Sequence, residues 1–324
     1  MRRVGIAALK AAAIVTVLAT TAACGSDSGE GGGSAEGELQ KVTVGIIPIV
    51  DVAPIYLGDE QGFFEERGID LTLEAGQGGA AIVPGVMSGQ FQFGFSNVTS
   101  LMLARGEGLP LKIVAPGNSS TGKEGEDFSA VVVAGDSDIQ SAKDLSGKTV
   151  AVNTLNNIGD TTVRESIRKD GGNPDDVQFV ELAFPDMPAA VASGNVDAAW
   201  VVEPFVAISE DQGHRVVAWN LVDTAPELMI AGYFTSEELI DSDPELVESF
   251  VDAITESLEY AEAHPDEARA IVQTYTEIDD ELIEKVTLPK WPTEVNEEST
   301  QKLADLAEQD GLVKEPVDVA ALLP

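Results

Sequence analysis

The residues that could bind a ligand or take part in catalysis follow the predicted strands of the sequence. Segments rich in carboxylates, amides, hydroxyls and glycines come directly after six β-rich runs. Ligands of open parallel sheets bind beyond the carboxyl ends of the strands, so these segments should line one cleft. Helix starts there would offer unpaired N–H groups to an anion or a polar acceptor. The expected ligand-binding residues are Asp51, Gly78, Gly79, Ser96, Asn97, Asn153, Asn156, Asn157, Gly159, Asp186 and Glu203.

Recognisable catalytic motifs do not accompany these segments. The two histidines, His214 and His264, lie far apart in the sequence and outside all six segments. The chain has neither the H-E-x-x-H pattern of a zinc protease nor the G-x-S-x-G pattern of a nucleophile elbow. An acid–base pair would have to come from surface-type carboxylates, for which the candidates are Asp51, Asp160, Asp186 and Glu203. We therefore expect a binding protein, not an enzyme, with no cofactor and no metal.

Two halves of the chain share a pattern that would position these segments. The run Val86–Gly89 and the run Val191–Gly194 both read V-x-S-G and lie 191 − 86 = 105 residues apart. A helix that ends at glycine and is followed by a strand explains each run. Apolar runs at 43–45 and 149–151 lie at nearly the same offset and are typical of buried parallel strands. Each half is predicted to fold as β-α-β-α-β; one large doubly wound sheet is the alternative.

The rest of the chain is predicted to be helical. Asp243 followed by Pro244 is typical of an N-cap and a first helical position. Further helices are expected over residues 266–275 and about 297–309, and they should cover the first lobe. In the second half, Thr162 and Glu165 have the spacing of a capping box, which predicts a helix start there.

The N-terminus has the features of an export signal. Basic residues at positions 2, 3 and 10 precede a short apolar run over 11–23, which is too short to span a bilayer. The small residues before Cys24 resemble a bacterial lipoprotein signal, although Thr21 stands where that signal usually has leucine. We expect 1–23 to be the signal peptide, Cys24 to be lipidated, and the Gly/Ser-rich stretch 24–39 to be a flexible tether. Simple secretion is the alternative.

The charge of the chain limits its partners. Cleavage of residues 1–23 would remove three basic and no acidic residues, and the formal charge would change from −37 to −37 − 3 = −40. Affinity for nucleic acids comes mainly from Lys and Arg that neutralise phosphates, so no nucleic-acid partner is expected. High net charge favours a soluble monomer, and we expect a monomer here.

Four stretches together identify a family resemblance: APIYLGDEQGFFEERGIDLTL, GQFQFGFSN, KDLSGKTVAV and FPDMPAAVASGNVDAAWVVEPF. They resemble the ABC-transporter solute-binding proteins of the nitrate, sulfonate and taurine type, a group that includes binding proteins for thiamine-precursor pyrimidines. The resemblance covers about residues 40–265. It implies a type II periplasmic-binding-protein fold, which is an α/β fold of two similar lobes around a ligand cleft.

The resemblance also implies how the chain is divided and what it does. The first lobe would contain residues 40–134 and 232–324, and the second lobe would contain 135–231. The protein would be extracytoplasmic, held at the cell membrane by the Cys24 lipid, and would deliver a small organic solute to an ABC permease. Two alternatives are a thiamine-pyrimidine synthase of the same fold and a ligand-sensing receptor domain.

The class of solute stays open at this level. The six segments contain neither Lys nor Arg, so an anion would depend on helix-start amides and on the amide side chains. A nitrogen heterocycle could instead find acceptors in Asp51 or Glu203. Stacking partners for such a ring are expected among Tyr56, Trp200 and Phe205.

Overall fold

A computed structural model describes residues 39–313 and 315–324. The predicted signal peptide, the lipidation site Cys24 and the tether up to residue 38 lie outside this part of the chain. Among the described residues, none of the helices is long and apolar enough to cross a membrane.

The described residues form two five-stranded sheets, one in each lobe. The strands are β1 (Gln40–Ile46), β2 (Ile69–Ala75), β3 (Phe93–Asn97), β4 (Leu111–Ser119), β5 (Ser129–Val133), β6 (Thr149–Val152), β7 (Gln178–Glu181), β8 (Ala198–Val202), β9 (Arg215–Ala218) and β10 (Met229–Ser236). The first sheet has the order β2-β1-β3-β10-β4, and the second has the order β7-β6-β8-β5-β9. In the first sheet β10 runs antiparallel to the other four strands, and in the second sheet β5 does.

Helices cover both sheets. They are α1 (Ala53–Gln61), α2 (Gly79–Met87), α3 (Val98–Gly106), α4 (Ile158–Lys169), α5 (Met187–Ala192), α6 (Phe205–Asp211), α7 (Asn220–Thr224), α8 (Glu237–Ser242), α9 (Pro244–Ala263), α10 (Pro265–Ile271), α11 (Asp280–Ile283), α12 (Glu297–Gln309) and α13 (Val319–Leu322). The helices from α8 onward lie mainly against the first lobe, with α9 beside α1 and α12 beside α3.

The predicted internal repeat is confirmed. Each lobe contains β-α-β-α-β in the same strand arrangement, with β1, β2 and β3 matched by β6, β7 and β8. The two V-x-S-G runs end α2 and α5, and their glycines, Gly89 and Gly194, have φ values of +74° and +70°. This left-handed conformation costs glycine little, which is why the same residue ends both helices.

The C-terminal helix α9 starts as predicted and fills the core of the first lobe. Asp243 caps it by accepting a hydrogen bond from the backbone N–H of Leu246. The ring of Phe250 stacks on Phe93 with 3.8 Å between centroids and meets the edge of Tyr233. Burying a phenylalanine side chain contributes about 1.5–3 kcal/mol, so this contact fixes the C-terminal helices on the first sheet.

Both crossings between the lobes lie earlier in the chain than the sequence predicts. Residues up to 134 were expected in the first lobe, yet β5 pairs with β8 and β9 in the second sheet. Residues up to 231 were expected in the second lobe, yet β10 begins at Met229 and pairs with β3 and β4. The crossings therefore run through residues 120–128 and 225–228. The repeat does not mark these boundaries, because β5 and β10 are antiparallel strands outside the repeated unit.

The predicted capping box at Thr162 and Glu165 is wrong. Helix α4 begins at Ile158, with Asn157 as its N-cap and Asp160 accepting a hydrogen bond from the Asn157 N–H at 2.7 Å. Thr162 lies inside the helix, where its hydroxyl donates to the carbonyl of Ile158 at 2.7 Å. The sequence contains two capping patterns, Asn157 with Asp160 and Thr162 with Glu165. The first of them provides hydrogen-bond partners for the free N–H groups at the start of α4.

Candidate functional site

The carboxyl edges of the two sheets face each other and are in contact. The N–H of Val50, which follows β1, donates to the backbone carbonyl of Glu203, which follows β8, at 3.0 Å. The amide of Asn153, which follows β6, donates to the carbonyl of Gln77 at 3.2 Å. The predicted post-strand segments of the two lobes therefore meet at one place, between the lobes.

The loop after β1 places Asp51 at this edge. The side chain is buried, with 3% of the residue exposed, and one carboxylate oxygen accepts a hydrogen bond from the amide of Asn118 at 3.1 Å. Among the described residues, neither the other carboxylate oxygen of Asp51 nor the side-chain oxygen of Asn118 has a hydrogen-bond partner. Burial raises the pKa of Asp51 to about 7, although the Asn118 hydrogen bond acts to lower it. In its ionised form Asp51 thus offers one free acceptor atom, and Asn118 offers a second.

Burial and, to a smaller extent, the Asp51 charge raise the pKa of two tyrosines, Tyr233 and Tyr275, and a third tyrosine, Tyr56, stacks on Tyr275. The buried hydroxyl of Tyr233 has no partner among the described residues, and burial and then the Asp51 charge raise its pKa. Tyr275 donates to the carbonyl of Ile49 at 3.2 Å and stacks on Tyr56, with 4.0 Å between ring centroids. The half-buried Tyr56 therefore already uses one face of its ring for Tyr275.

The other expected residues of the first lobe are placed close together at the starts of α2 and α3. The backbone around Gly79 lies against Ser96, since a Cβ at Gly79 would be 1.8 Å from the Ser96 hydroxyl oxygen. Asn97 caps α3 by accepting from the Ser100 N–H at 2.9 Å. Gly78 faces the second lobe, and a Cβ there would be 2.5 Å from the hydroxyl of Thr154. Glycine at 78 and 79 lets these elements approach closely.

The expected residues of the second lobe divide into three groups. Asn153 is buried at the contact between the lobes and has an unpartnered side-chain oxygen. Asn157 caps α4. Gly159 packs against Trp200, and a Cβ at Gly159 would be 2.4 Å from the Trp200 ring. The side chains of the other two, Asn156 and Asp186, are exposed. Only Asn153 combines burial, a free acceptor atom and contact with the first lobe.

Glu203 is at the contact but is already hydrogen-bonded. Its two carboxylate oxygens accept from the backbone N–H groups of Ala207 and Thr287, each at 3.0 Å. Burial raises its pKa to about 8, even though both hydrogen bonds favour the charged form. The arrangement makes Glu203 a link between the lobes. Of the two acceptors that the sequence suggests, Asp51 and Glu203, Asp51 has a carboxylate oxygen without a partner among the described residues, whereas both oxygens of Glu203 are hydrogen-bonded. The other two expected stacking residues, Trp200 and Phe205, are buried around Phe184.

Ion pairs also join the two lobes. Arg168 on α4 contacts Asp310, which follows α12, at 2.5 Å, and Lys302 on α12 contacts Glu165 on α4 at 3.3 Å. Glu165 and Asp310 have side chains that are only 7% and 4% exposed. On another part of the interface, Lys285 pairs with an aspartate of α6 at 3.0 Å. The C-terminal segment therefore contributes most of the charged contacts between the lobes.

Sequence reasoning missed Asn118, Tyr233, Tyr275 and Trp291. Asn118 is the next-to-last residue of β4, so it lies within a strand and not in a segment that follows one. The aromatic residues come from the C-terminal half and carry no local signal.

Gly117 to Lys123 also matches the G-x-x-x-x-G-K spacing of a phosphate loop. Here that stretch ends β4 and enters the first crossing instead of opening a helix, which excludes the phosphate-loop geometry.

Comparison with known proteins decides the family. The NMT1/THI5-like family model matches residues 49–268, which is more than half of the chain. The chain belongs to this family. It is 24% identical to the formylaminopyrimidine-binding protein of Halalkalibacterium halodurans over 74% of each protein. It is 22% identical to a 4-amino-5-hydroxymethyl-2-methylpyrimidine phosphate synthase of Aspergillus parasiticus, over 66% of this chain and 64% of the synthase.

A solved structure confirms the fold class. The periplasmic aliphatic sulphonate binding protein SsuA from Escherichia coli superposes with a TM-score of 0.72 at 18% identity, covering 87% of this chain and 97% of that protein. The two-lobed α/β architecture of a periplasmic binding protein, which the resemblance implied, is therefore correct. At this level of identity the similarity concerns the fold, and the ligand has to be argued from this chain's own residues.

Proposed function

We propose that this protein is the extracytoplasmic solute-binding component of an ABC importer. The observation that supports this most directly is the pair of facing carboxyl edges, which contact each other through Val50, Glu203, Gln77 and Asn153. Two lobes joined by two crossings can close around a solute by hinge motion. Its relatives are mostly binding proteins, and the captured solute would be passed to a membrane permease.

The free polar atoms at the edges favour a solute that brings hydrogen-bond donors. Asp51, Asn118 and Asn153 each have a buried oxygen without a partner among the described residues. An oxygen acceptor left unpaired in the interior costs about 1–3 kcal/mol, so a solute with N–H groups would recover that cost. An anionic sulfonate or nitrate would instead add acceptors beside Asp51. We therefore favour a nitrogen-containing ring over an anion.

Binding without chemical turnover fits the positions of the histidines. His214 is buried at the start of β9, away from the carboxyl edge of its sheet, and His264 is exposed after α9. Neither is placed to act on a solute between the lobes. One relative is a synthase, so an enzymatic function is the alternative. The two functions can be distinguished because a synthase would change the solute chemically.

The N-terminal anchor is a separate part of the proposal. Cys24 follows an apolar run and small residues, and a lipid on its thiol would hold the protein at the membrane surface. One acyl chain gives marginal attachment and two give stable attachment, so a multiply acylated N-terminus is expected. The protein is proposed to act as a monomer.

Titration calorimetry on residues 39–324 tests the proposal with defined probes: 4-aminopyrimidine, riboflavin, methanesulfonate and nitrate. We expect a ring probe to bind and both anions to give no heat, with the bound ring recovered unchanged by mass spectrometry. Asn153→Ala should weaken binding roughly 2- to 10-fold through loss of one hydrogen bond. The control Asp186→Ala, at an exposed position, should bind like the parent. Failure to bind any of these small solutes would contradict the proposal, and conversion of the ring would contradict its non-enzymatic part.

A further inference from the structure

Residues 286–296, called the strap here, connect α11 to α12 and contact both crossings between the lobes. Lys290 forms an antiparallel bridge with Ser119, with reciprocal backbone hydrogen bonds of 2.8 and 3.0 Å, where the first crossing begins. The amide of Asn296 donates to the carbonyl of Glu227, in the second crossing, at 3.2 Å. The strap is therefore tied to both segments that must bend if the lobes move.

The strap also contacts both edges of the solute site. The indole N–H of Trp291, a residue that is 3% exposed, donates to the backbone carbonyl of Asp51 at 3.2 Å. The backbone N–H of Thr287 donates to a carboxylate oxygen of Glu203 at 3.0 Å. One short segment thus holds the Asp51 loop in the first lobe and the residue after β8 in the second.

The strap is anchored to the first lobe. The backbone N–H of Trp291 donates to Glu262 on α9 at 3.1 Å, and Arg269 on α10 donates to the carbonyl of Val286 at 3.2 Å. Because the strap is held by the first lobe, a movement of the second lobe must strain or break the bond between Thr287 and Glu203.

We infer that the strap ties lobe closure to the geometry of the solute site, with Trp291 and Thr287 as positioning residues. When the lobes close, Glu203 meets Thr287, and the same segment fixes the Asp51 loop through Trp291. This goes beyond the proposed function, because it assigns a role to a segment that lies after the region matched by the family model, which ends at residue 268. The solute itself contacts neither positioning residue in this account.

Hydrogen–deuterium exchange of the ligand-free protein, residues 39–324, tests the inference. Trp291→Phe keeps the aromatic packing and removes the hydrogen bond to Asp51. We expect exchange to become roughly 2- to 10-fold faster in two separate segments, 49–55 in the first lobe and 198–207 in the second. Each variant is measured equally far below its own unfolding midpoint, so that global destabilisation does not imitate local loosening.

Two other variants make the result specific. Trp219→Phe changes a half-buried tryptophan of the second lobe and should leave both segments as in the parent. Tyr275→Phe removes a different bond to the same loop, to Ile49, and should loosen 49–55 alone. Faster exchange in both segments for Trp291→Phe supports the strap. Faster exchange in 49–55 alone, or no change, overturns it. Since no solute is present, failure of the proposed function would leave this result standing.

Discussion

Asp51 should make the stability of the protein depend on pH, and Asp51→Asn should remove the part of that dependence that comes from Asp51, leaving the part that comes from the buried Glu203. Burial raises the folded-state pKa of this carboxyl from 3.8 to about 7. A group whose pKa is raised on folding contributes stability that is fully present below its unfolded pKa. That stability is lost as the pH rises through the folded value. The parent should therefore become less stable between pH 4.5 and pH 8.5, whereas an asparagine at 51 does not titrate.

The magnitude follows from the difference between the folded pKa of about 7 and the unfolded pKa of 3.8. One pKa unit corresponds to about 1.36 kcal/mol, so the full effect is about 4 kcal/mol. Between pH 4.5 and pH 8.5, about 3 kcal/mol of it should appear as a change in the stability difference between Asp51→Asn and the parent. Asp51→Asn also replaces the carboxyl group by an amide, which changes the free energy of unfolding. Because that change is the same at every pH, it does not affect the pH dependence.

Urea unfolding followed by tryptophan fluorescence at pH 4.5, 6.5 and 8.5 measures this difference. The stability of Asp51→Asn relative to the parent should rise at each step in pH. Asp186→Asn is the matched control, because it makes the same change at an exposed aspartate on the same edge of the other lobe. A stability difference for Asp51→Asn that does not change with pH would refute the burial argument for this site.

Three other substitutions test separate parts of the account. Gly159→Ala should destabilise the second lobe by about 1–3 kcal/mol, because the new Cβ would be 2.4 Å from the Trp200 ring; an unchanged thermal midpoint would contradict the packing. Asp310→Asn breaks the pair with Arg168 and should favour separation of the lobes, giving a larger ligand-free radius in solution scattering, whereas an equal radius would deny that the pair holds the lobes together. Cys24→Ser should release the full-length protein from the membrane fraction, and retention there would rule out the lipid anchor.

How much of the fold could be predicted depended on whether the signal was local. The two V-x-S-G runs gave the repeat because a helix end and the next strand are encoded within a few residues. The crossings were misplaced by several residues, because β5 and β10 join their sheets through pairing with strands distant in sequence. A strand that joins a parallel sheet in antiparallel orientation has the same alternation of residues as the parallel strands. The sequence of β5 or β10 alone therefore does not show which sheet the strand joins.

The candidate site was predictable to the same extent. Asn153 directly follows β6 and Asp51 lies in the segment after β1, so both could be named without knowledge of the partner lobe. The sequence offers Asp51 and Glu203 alike as acceptors, but one oxygen of the Glu203 carboxylate accepts from the N–H of Thr287, 84 residues later in the chain. Trp291 lies 240 residues after Asp51, so no spacing in the sequence connects the two.

Small-angle scattering shows whether a small solute is captured by closure of the two facing edges. Gly78 has an extended backbone that any residue can adopt, but a Cβ there would be 2.5 Å from Thr154 in the other lobe. Gly78→Val should therefore hold the lobes apart, while Gly106→Val, where nothing lies within 4 Å, should not. With the tightest-binding probe at saturation, we predict a smaller radius of gyration for the parent and for Gly106→Val and an unchanged radius for Gly78→Val. Equal radii with and without the bound probe in the parent, or equal compaction in Gly78→Val, would contradict capture between the lobes.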